Sequence, residues 1–135
     1  MTVDYVIIGL GAVTGLAMGG ITSLVGLPPS VEPGVWFAFY AVWLVAVHRR
    51  RSPSPFATVV LASLASGVVV GGVQVALLPQ YIEANPWYAE YMGGTQASLA
   101  GQMMVQALGM GMLFGVAVGL LARGVDARRR KVEDA

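Results

Sequence analysis

With 135 residues, 56% of them hydrophobic and only 11% charged, the chain has the length of one domain but is too apolar for a soluble one. Its mean hydropathy of +0.71 points to a membrane protein. A net charge of +1 gives nucleic acid little to hold, and with no cysteine the chain has no disulfide, thiolate nucleophile, iron–sulfur or zinc-thiolate site.

The apolar residues fall into blocks that predict four transmembrane helices, at about 4–27, 33–48, 56–78 and 97–122. The first block, Val3 to Leu27, carries a single charge, Asp4, and Pro28-Pro29 is its expected stop. It lacks a basic leader region, so it is read as a retained helix rather than a signal peptide. Pro33-Gly34 restarts the chain. The second block is short: Glu32 to His48 covers roughly 24 Å as a helix. It should stand upright or thin the bilayer. Arg49-Arg50-Arg51 and Ser52-Pro53-Ser54-Pro55 then make a tight connection, and the third block ends before Pro79.

The longest connection carries Tyr81, Trp87, Tyr88 and Tyr91, residues typical of the headgroup level. Asn85 as N-cap with Pro86 in the first turn predicts a short interfacial helix over 86–92, broken by Gly93-Gly94. After the fourth span, residues 123–135 are expected to form a basic cytoplasmic tail that frays from Gly124 onward. The fold class is an all-α integral membrane protein, a single domain over 1–135, built as two hairpins with a surface helix.

Charge placement fixes the expected orientation. Every basic residue lies in Arg49, Arg50 and Arg51 or in Arg123, Arg128, Arg129, Arg130 and Lys131. The connections at 28–34 and 79–96 contain Glu32, Glu83 and Glu90 and no Lys or Arg. Basic loops stay cytoplasmic, so both termini should be inside and the acidic loops outside. A basic complement that is almost all Arg, with Ala/Val/Gly-rich spans, points to the plasma membrane of a prokaryote. The lipid bilayer is the expected partner.

One phrase occurs twice. Gly15-Leu16-Ala17-Met18-Gly19-Gly20-Ile21-Thr22 leads into Leu27-Pro28, and Gly67-Val68-Val69-Val70-Gly71-Gly72-Val73-Gln74 leads into Leu78-Pro79. Either the two hairpins are a parallel duplication, or Gly/Val/Leu-rich sequence has repeated itself by chance. On a helical wheel Gly11, Gly15, Gly19, Thr22 and Gly26 share an arc, as do Ser63, Gly67, Gly71 and Gln74. Gly111, Gly115 and Gly119 form a third stripe. Such stripes bring helix backbones together in lipid; a flexible or pore-lining face is the alternative. In the fourth span Gln102, Gln106, Gly109 and Leu113 lie nearly opposite the Gly115 stripe. A helix packed on both sides would imply a homo-oligomer or other membrane subunits.

The most polar intramembrane side chains, Thr22, Ser23, Gln74, Gln102 and Gln106, share the outer half of the membrane. The inner half holds small hydroxyls, among them Thr14, Thr58, Ser63 and Ser66. With Tyr81, Trp87, Tyr88 and Tyr91 as a roof, the outer layer is either an interhelical hydrogen-bond network or a shallow pocket for a small molecule or lipid headgroup.

No ionisable residue lies in the middle of a span, which argues against proton pumps and voltage sensors. His48 reads as an interfacial residue with no second ligand or catalytic partner. Met103, Met104, Met110 and Met112 read as flexible packing rather than a Cu(I) track. The Trp36, Tyr40, Trp43 stripe is read as a membrane anchor in contact with lipid rather than a cation cage. No catalytic residue, cofactor or metal is expected. The leading expectation is a non-enzymatic structural or accessory subunit acting through helix packing. The alternative is a small oligomeric channel or transporter with an outward-facing polar entrance, and the third reading an outward-facing lipid or small-molecule sensor.

Overall fold

The computed structural model describes residues 2–133, which are 85% helical and contain no strand. Six helices follow in order: α1 Tyr5–Leu24, α2 Glu32–Arg49, α3 Pro55–Ala76, α4 Leu78–Ala84, α5 Pro86–Met92 and α6 Gln96–Glu133. Three of them, α1, α3 and α6, are long and apolar enough to cross a bilayer and mark the chain as a membrane protein. Helix α2 is not among them. Its 18 residues include Glu32, His48 and Arg49 at the ends and several amphipathic aromatics between.

Helix α3 is the centre of the bundle, with α1 parallel along one side and α6 antiparallel along the other. These contacts are close because glycines sit where a side chain would collide. Gly11 abuts the Ala62 carbonyl, and a methyl group at Gly15 would lie 2.5 Å from the Ser66 carbonyl oxygen. At Gly19 it would lie 2.7 Å from Val73 Cβ. The glycines of α3 itself, Gly67 and Gly71, turn instead to α6, where a Cβ would meet Ala107 O at 2.7 Å and Met104 Sδ at 2.9 Å. Gly111, Gly115 and Gly119 of α6 face Ser63, Val60 and Phe56 in return. The α1 stripe therefore rests on the alanine–serine face of α3, while the α3 and α6 stripes interlock.

Helix α2 runs antiparallel to α1 but touches its neighbours at few points. Trp43 Nε1 donates to Thr14 Oγ1 at 3.3 Å, and Arg50 pairs with Asp4 at 2.7 Å. The two hairpins are thus unequal: α3 and α6 are tightly apposed, whereas α2 touches α1, α3 and α6 only lightly. Ile7, Trp43, Val47, Val59, Val118 and Ala122 form the apolar core of the arginine-rich half. Leu78, Tyr81, Tyr88, Leu99 and Met103 form a second cluster at the opposite, acidic end.

Several boundaries differ from expectation. Helix α1 stops at Leu24, a turn before Pro28. Val25 N and Gly26 N both donate to Ile21 O, and Gly26 adopts a left-handed φ of 76° against the Ala84 carbonyl. Gly26 therefore lies outside the α1 stripe. Helix α4 was not anticipated: Pro79 occupies a first helical turn and so begins a helix as well as following one. Helix α5 occupies 86–92 as expected. The basic tail is not frayed through Glu133 but continues α6. Asp126 pairs with Arg129 at 2.7 Å and Arg130 at 2.8 Å, bracing one face of the last turns. At 1.5 Å per residue α6 extends ~57 Å, beyond the ~45 Å of a whole bilayer.

Candidate functional site

Because α2 stands off from the α3–α6 pair, a cavity of about 290 Å³ lies between them. It begins at the acidic end beside Pro29, Glu32 and Pro33 and reaches down to Tyr40, Ser63 and Phe114. Glu32 to Tyr40 is eight residues of helix, which makes the cavity ~12 Å deep.

Its walls follow from helical spacing. Glu32, Trp36 and Tyr40 recur every fourth residue and stack on one face of α2. The Trp36 and Tyr40 rings stack at 6.2 Å, and Tyr40 stacks on Phe114 of α6 at 5.7 Å. Helix α3 contributes Ser63, Ser66, Val70 and Gln74, and α6 contributes Met103, Gln106 and Met110. Tyr81 of α4 and Trp87 and Tyr88 of α5 complete the roof, with Tyr88 edge-on to both of the others. Trp43 lies fully buried below Tyr40, the two rings 5.1 Å apart, within the core of the arginine-rich half.

The polar groups are sparse and mostly neutral. Glu32 is the one carboxylic acid among the lining residues, and it accepts from Trp36 Nε1 at 3.3 Å. No Lys, Arg or His lines the space. Tyr40 Oη and Ser63 Oγ lie 3.5 Å apart. The Ser66 hydroxyl and the Tyr88 phenol are buried with no partner in the protein. Burial raises the pKa of both roof tyrosines above the usual phenol value, and for Tyr81 the Glu32 charge adds to the effect. Both phenols therefore stay neutral and able to donate at neutral pH.

Of the residues proposed for the outer pocket, Gln74, Gln106, Tyr81, Trp87 and Tyr88 line this cavity. The others do not. Thr22 lies between α1 and α3, where its hydroxyl accepts from Gln74 Nε2 at 3.0 Å and donates to Met18 O at 2.8 Å. Ser23 is fully buried without a hydroxyl partner, and Gln102 has a buried, unpartnered Oε1 away from the cavity. Tyr91 is 83% exposed and outside it. Met103 and Met110 line the space, Met104 packs on Gly71, and Met112 is exposed.

Glu32, Trp36, Phe37, Tyr40, Ser63, Ser66 and Phe114 are lining residues missed from the sequence. The aromatic stripe faces inward rather than lipid: Trp43 is 0% exposed and Tyr40 only 6%. The step from Glu32 through Trp36 to Tyr40 was the available signal, since it sets a carboxylate on the same stripe. Asn85 also departs from its reading. It precedes α5 but its side chain does not cap that helix. It donates to Thr22 O at 2.7 Å and Tyr81 O at 2.9 Å, tying the roof to α1.

The basic residues gather at the other end of the bundle. Arg51 pairs with Glu133 at 3.6 Å and Arg129 donates to His48 O, so the α2–α3 turn and the end of α6 are neighbours. Arg49, Arg128 and Lys131 are exposed there. Among the described residues no group of three or more His, Cys, Asp or Glu is placed to hold a metal ion. No protein-family model, curated protein or solved structure matches this chain.

Proposed function

We propose that this protein is a membrane-embedded receptor for a small amphiphilic molecule, which enters the cavity between α2, α3 and α6. The observation that carries this reading is the cavity itself: aromatic walls, a single carboxylate and two buried hydroxyls without protein partners. A bundle acting through packing alone gains nothing from such a space. Lost contacts and unpartnered polar atoms both weaken it.

The same reading takes α2 as a fourth, short span. Asp4 and Arg50 hold its end level with the start of α1, and its 18 residues rise ~27 Å, near the thickness of a hydrocarbon core. With four crossings, the basic residues lie in the cytoplasm with both termini, and the Glu32 end faces outward. A path straight through one chain is disfavoured, because Trp43, Val47, Val59, Val118 and Ala122 fill the bundle below the cavity.

Thermal-shift titration of purified protein tests the reading, using benzyltrimethylammonium and its neutral isostere neopentylbenzene. A molecule bound only by the folded state raises the unfolding temperature. At least one probe should do so saturably, and Gln106→Trp, which fills the space from an exposed position, should abolish the response while preserving helical content. If neither probe binds, or if Gln106→Trp binds as well as wild type, the receptor reading is wrong.

A second reading, self-association, draws on α6. Gly101 and Gly109 have open space beside them, and Val105 between them is 74% exposed. Small residues on a lipid-facing helix permit close docking of another helix. Crosslinking in membranes should capture dimers that Gly109→Ile abolishes; monomers alone would remove this reading.

A further inference from the structure

We infer that the ligand is a bulky organic monocation, a quaternary or tertiary ammonium group bearing an apolar substituent; this inference rests on the receptor reading above. Three observations converge on it. Four aromatic residues, Trp36, Tyr81, Trp87 and Tyr88, line the outer part of the cavity. Ring faces attract cations through their quadrupole. Glu32, hydrogen-bonded to Trp36 within that ring set, is the only carboxylic acid lining the space, and no basic side chain opposes it. Deeper in, Val70, Met110 and Phe114 offer an apolar floor.

The chemistry also excludes the neighbouring classes. An anion would face Glu32 with no compensating Lys, Arg or His. A metal ion demands several oxygen donors to replace its hydration shell, and here one carboxylate is surrounded by rings. A primary ammonium is strongly hydrated and retains the same demand. A quaternary or tertiary ammonium loses little hydration and gains from the ring faces. The remaining charges at this end reinforce the choice: Glu83 and Glu90 are acidic, and every Lys and Arg lies at the opposite end. That field concentrates cations at the mouth.

The deciding measurement compares benzyltrimethylammonium with neopentylbenzene, which has the same shape without the charge. Wild type should bind the cation at least tenfold more tightly. Glu32→Gln retains the acceptor for Trp36 Nε1, so it should preserve the fold. It should weaken the cation at least tenfold and leave neopentylbenzene unchanged. Trp87→Leu, at a 37% exposed residue, should likewise weaken the cation selectively. Equal binding of the two probes, with both lost in Gln106→Trp, would overturn the cation assignment and leave the receptor reading intact. Loss of both probes from wild type would remove the two together. Nanodiscs with and without phosphatidylcholine separate the sources. Competition by the choline lipid, dependent on Glu32, identifies a lipid headgroup, and undiminished binding identifies a free cation.

Discussion

Gln74 Nε2 donates to Thr22 Oγ1 across 3.0 Å, joining the two residues that stand at the same place in the chain's echoed phrases. Because α1 and α3 run parallel, the two copies lie side by side and their last polar residues meet. Thr22 already returns its own proton to Met18 O, so its lone pair is free to accept. Hydrogen bonds between membrane helices contribute about 0.6 kcal/mol on average and up to ~1.7. A double-mutant cycle of Thr22→Val and Gln74→Leu, read by unfolding in mixed micelles, should give a coupling energy in that range. Strict additivity would mean that the contact contributes nothing.

Asn85 has the larger expected effect. Its amide donates to Thr22 O, in the last turn of α1 where carbonyls lack intrahelical partners, and to Tyr81 O, which also accepts from the Asn85 N–H. Asn85→Ala should cost about 1–3 kcal/mol, the usual penalty for stranding buried polar groups. Asn85→Asp should cost more, since a carboxylate presents oxygen to two carbonyl oxygens. Faster limited proteolysis between α4 and α5 in both variants would locate the damage in the roof. If Asn85→Asp were as stable as wild type, the latch would not exist.

The same two contacts show why only part of the site was legible in the sequence. Depth along each span is a matter of counting residues, so Gln74, Gln106 and the roof aromatics could be placed at one level. Backbone signals were equally local: Pro86 and Gly93 delimit α5, whereas Leu78-Pro79 was read only as a stop and hid α4. Direction was the missing information. Helix α2 carries Phe37 and Phe39 on some faces and Trp36, Tyr40 and Trp43 on another, and with aromatics on several faces the one cue to the inward stripe is Glu32 at its end. That choice depends on α2 standing off from α3, a tertiary result. Hence the stacked rings that define the cavity were assigned to lipid, and Glu32 to the connection before α2.

The glycines make a sharper test than their spacing alone. At Gly67 an added Cβ would lie 2.7 Å from the Ala107 carbonyl oxygen, a backbone atom that cannot step aside. Gly72, on the same helix, has nothing within 4 Å. Gly67→Ala should destabilise by about 1–3 kcal/mol through overpacking. Gly72→Ala should be neutral or stabilising by up to ~1 kcal/mol, because alanine is the better helix former. Equal effects at the two positions in mixed-micelle unfolding would contradict the α3–α6 packing described above.

Asp4 links pH to stability. Arg50 donates to its carboxylate at 2.7 Å, and that bond, followed by the Val6 N–H, holds its pKa below the usual carboxylate value. A group whose pKa is depressed on folding stabilises above its unfolded pKa, about 3.9. That contribution is lost as pH falls through the lower folded value. Unfolding temperature should therefore decline below about pH 4. Asp4→Asn should flatten the decline while keeping an N-cap. With Arg50 half-exposed the ion pair contributes at most ~1 kcal/mol, whereas Asp4→Ala loses the cap as well, another ~1 kcal/mol. An unchanged pH profile in Asp4→Asn would assign the acid sensitivity elsewhere.

Arg51 holds a backbone conformation that its side chain opposes. Its φ of 50° is left-handed, the position that glycine ordinarily fills after a helix. The hydrogen bonds close around it: Ser52 N donates to Val47 O at 3.2 Å and Arg51 N to His48 O at 3.2 Å. A side chain in this region costs on the order of 1 kcal/mol. Against that, the Arg51–Glu133 pair spans 3.6 Å between two well-exposed groups and contributes little. Arg51→Gly should therefore stabilise the protein by roughly 0.5–1 kcal/mol, visible as a shift in mixed-micelle unfolding. On the four-span proposal, Arg49, Arg50 and the arginines of α6 suffice to set the orientation, so reporter fusions at both termini of Arg51→Gly should report the cytoplasm. A destabilised Arg51→Gly would mean that the turn depends on the guanidinium more than on its backbone angle.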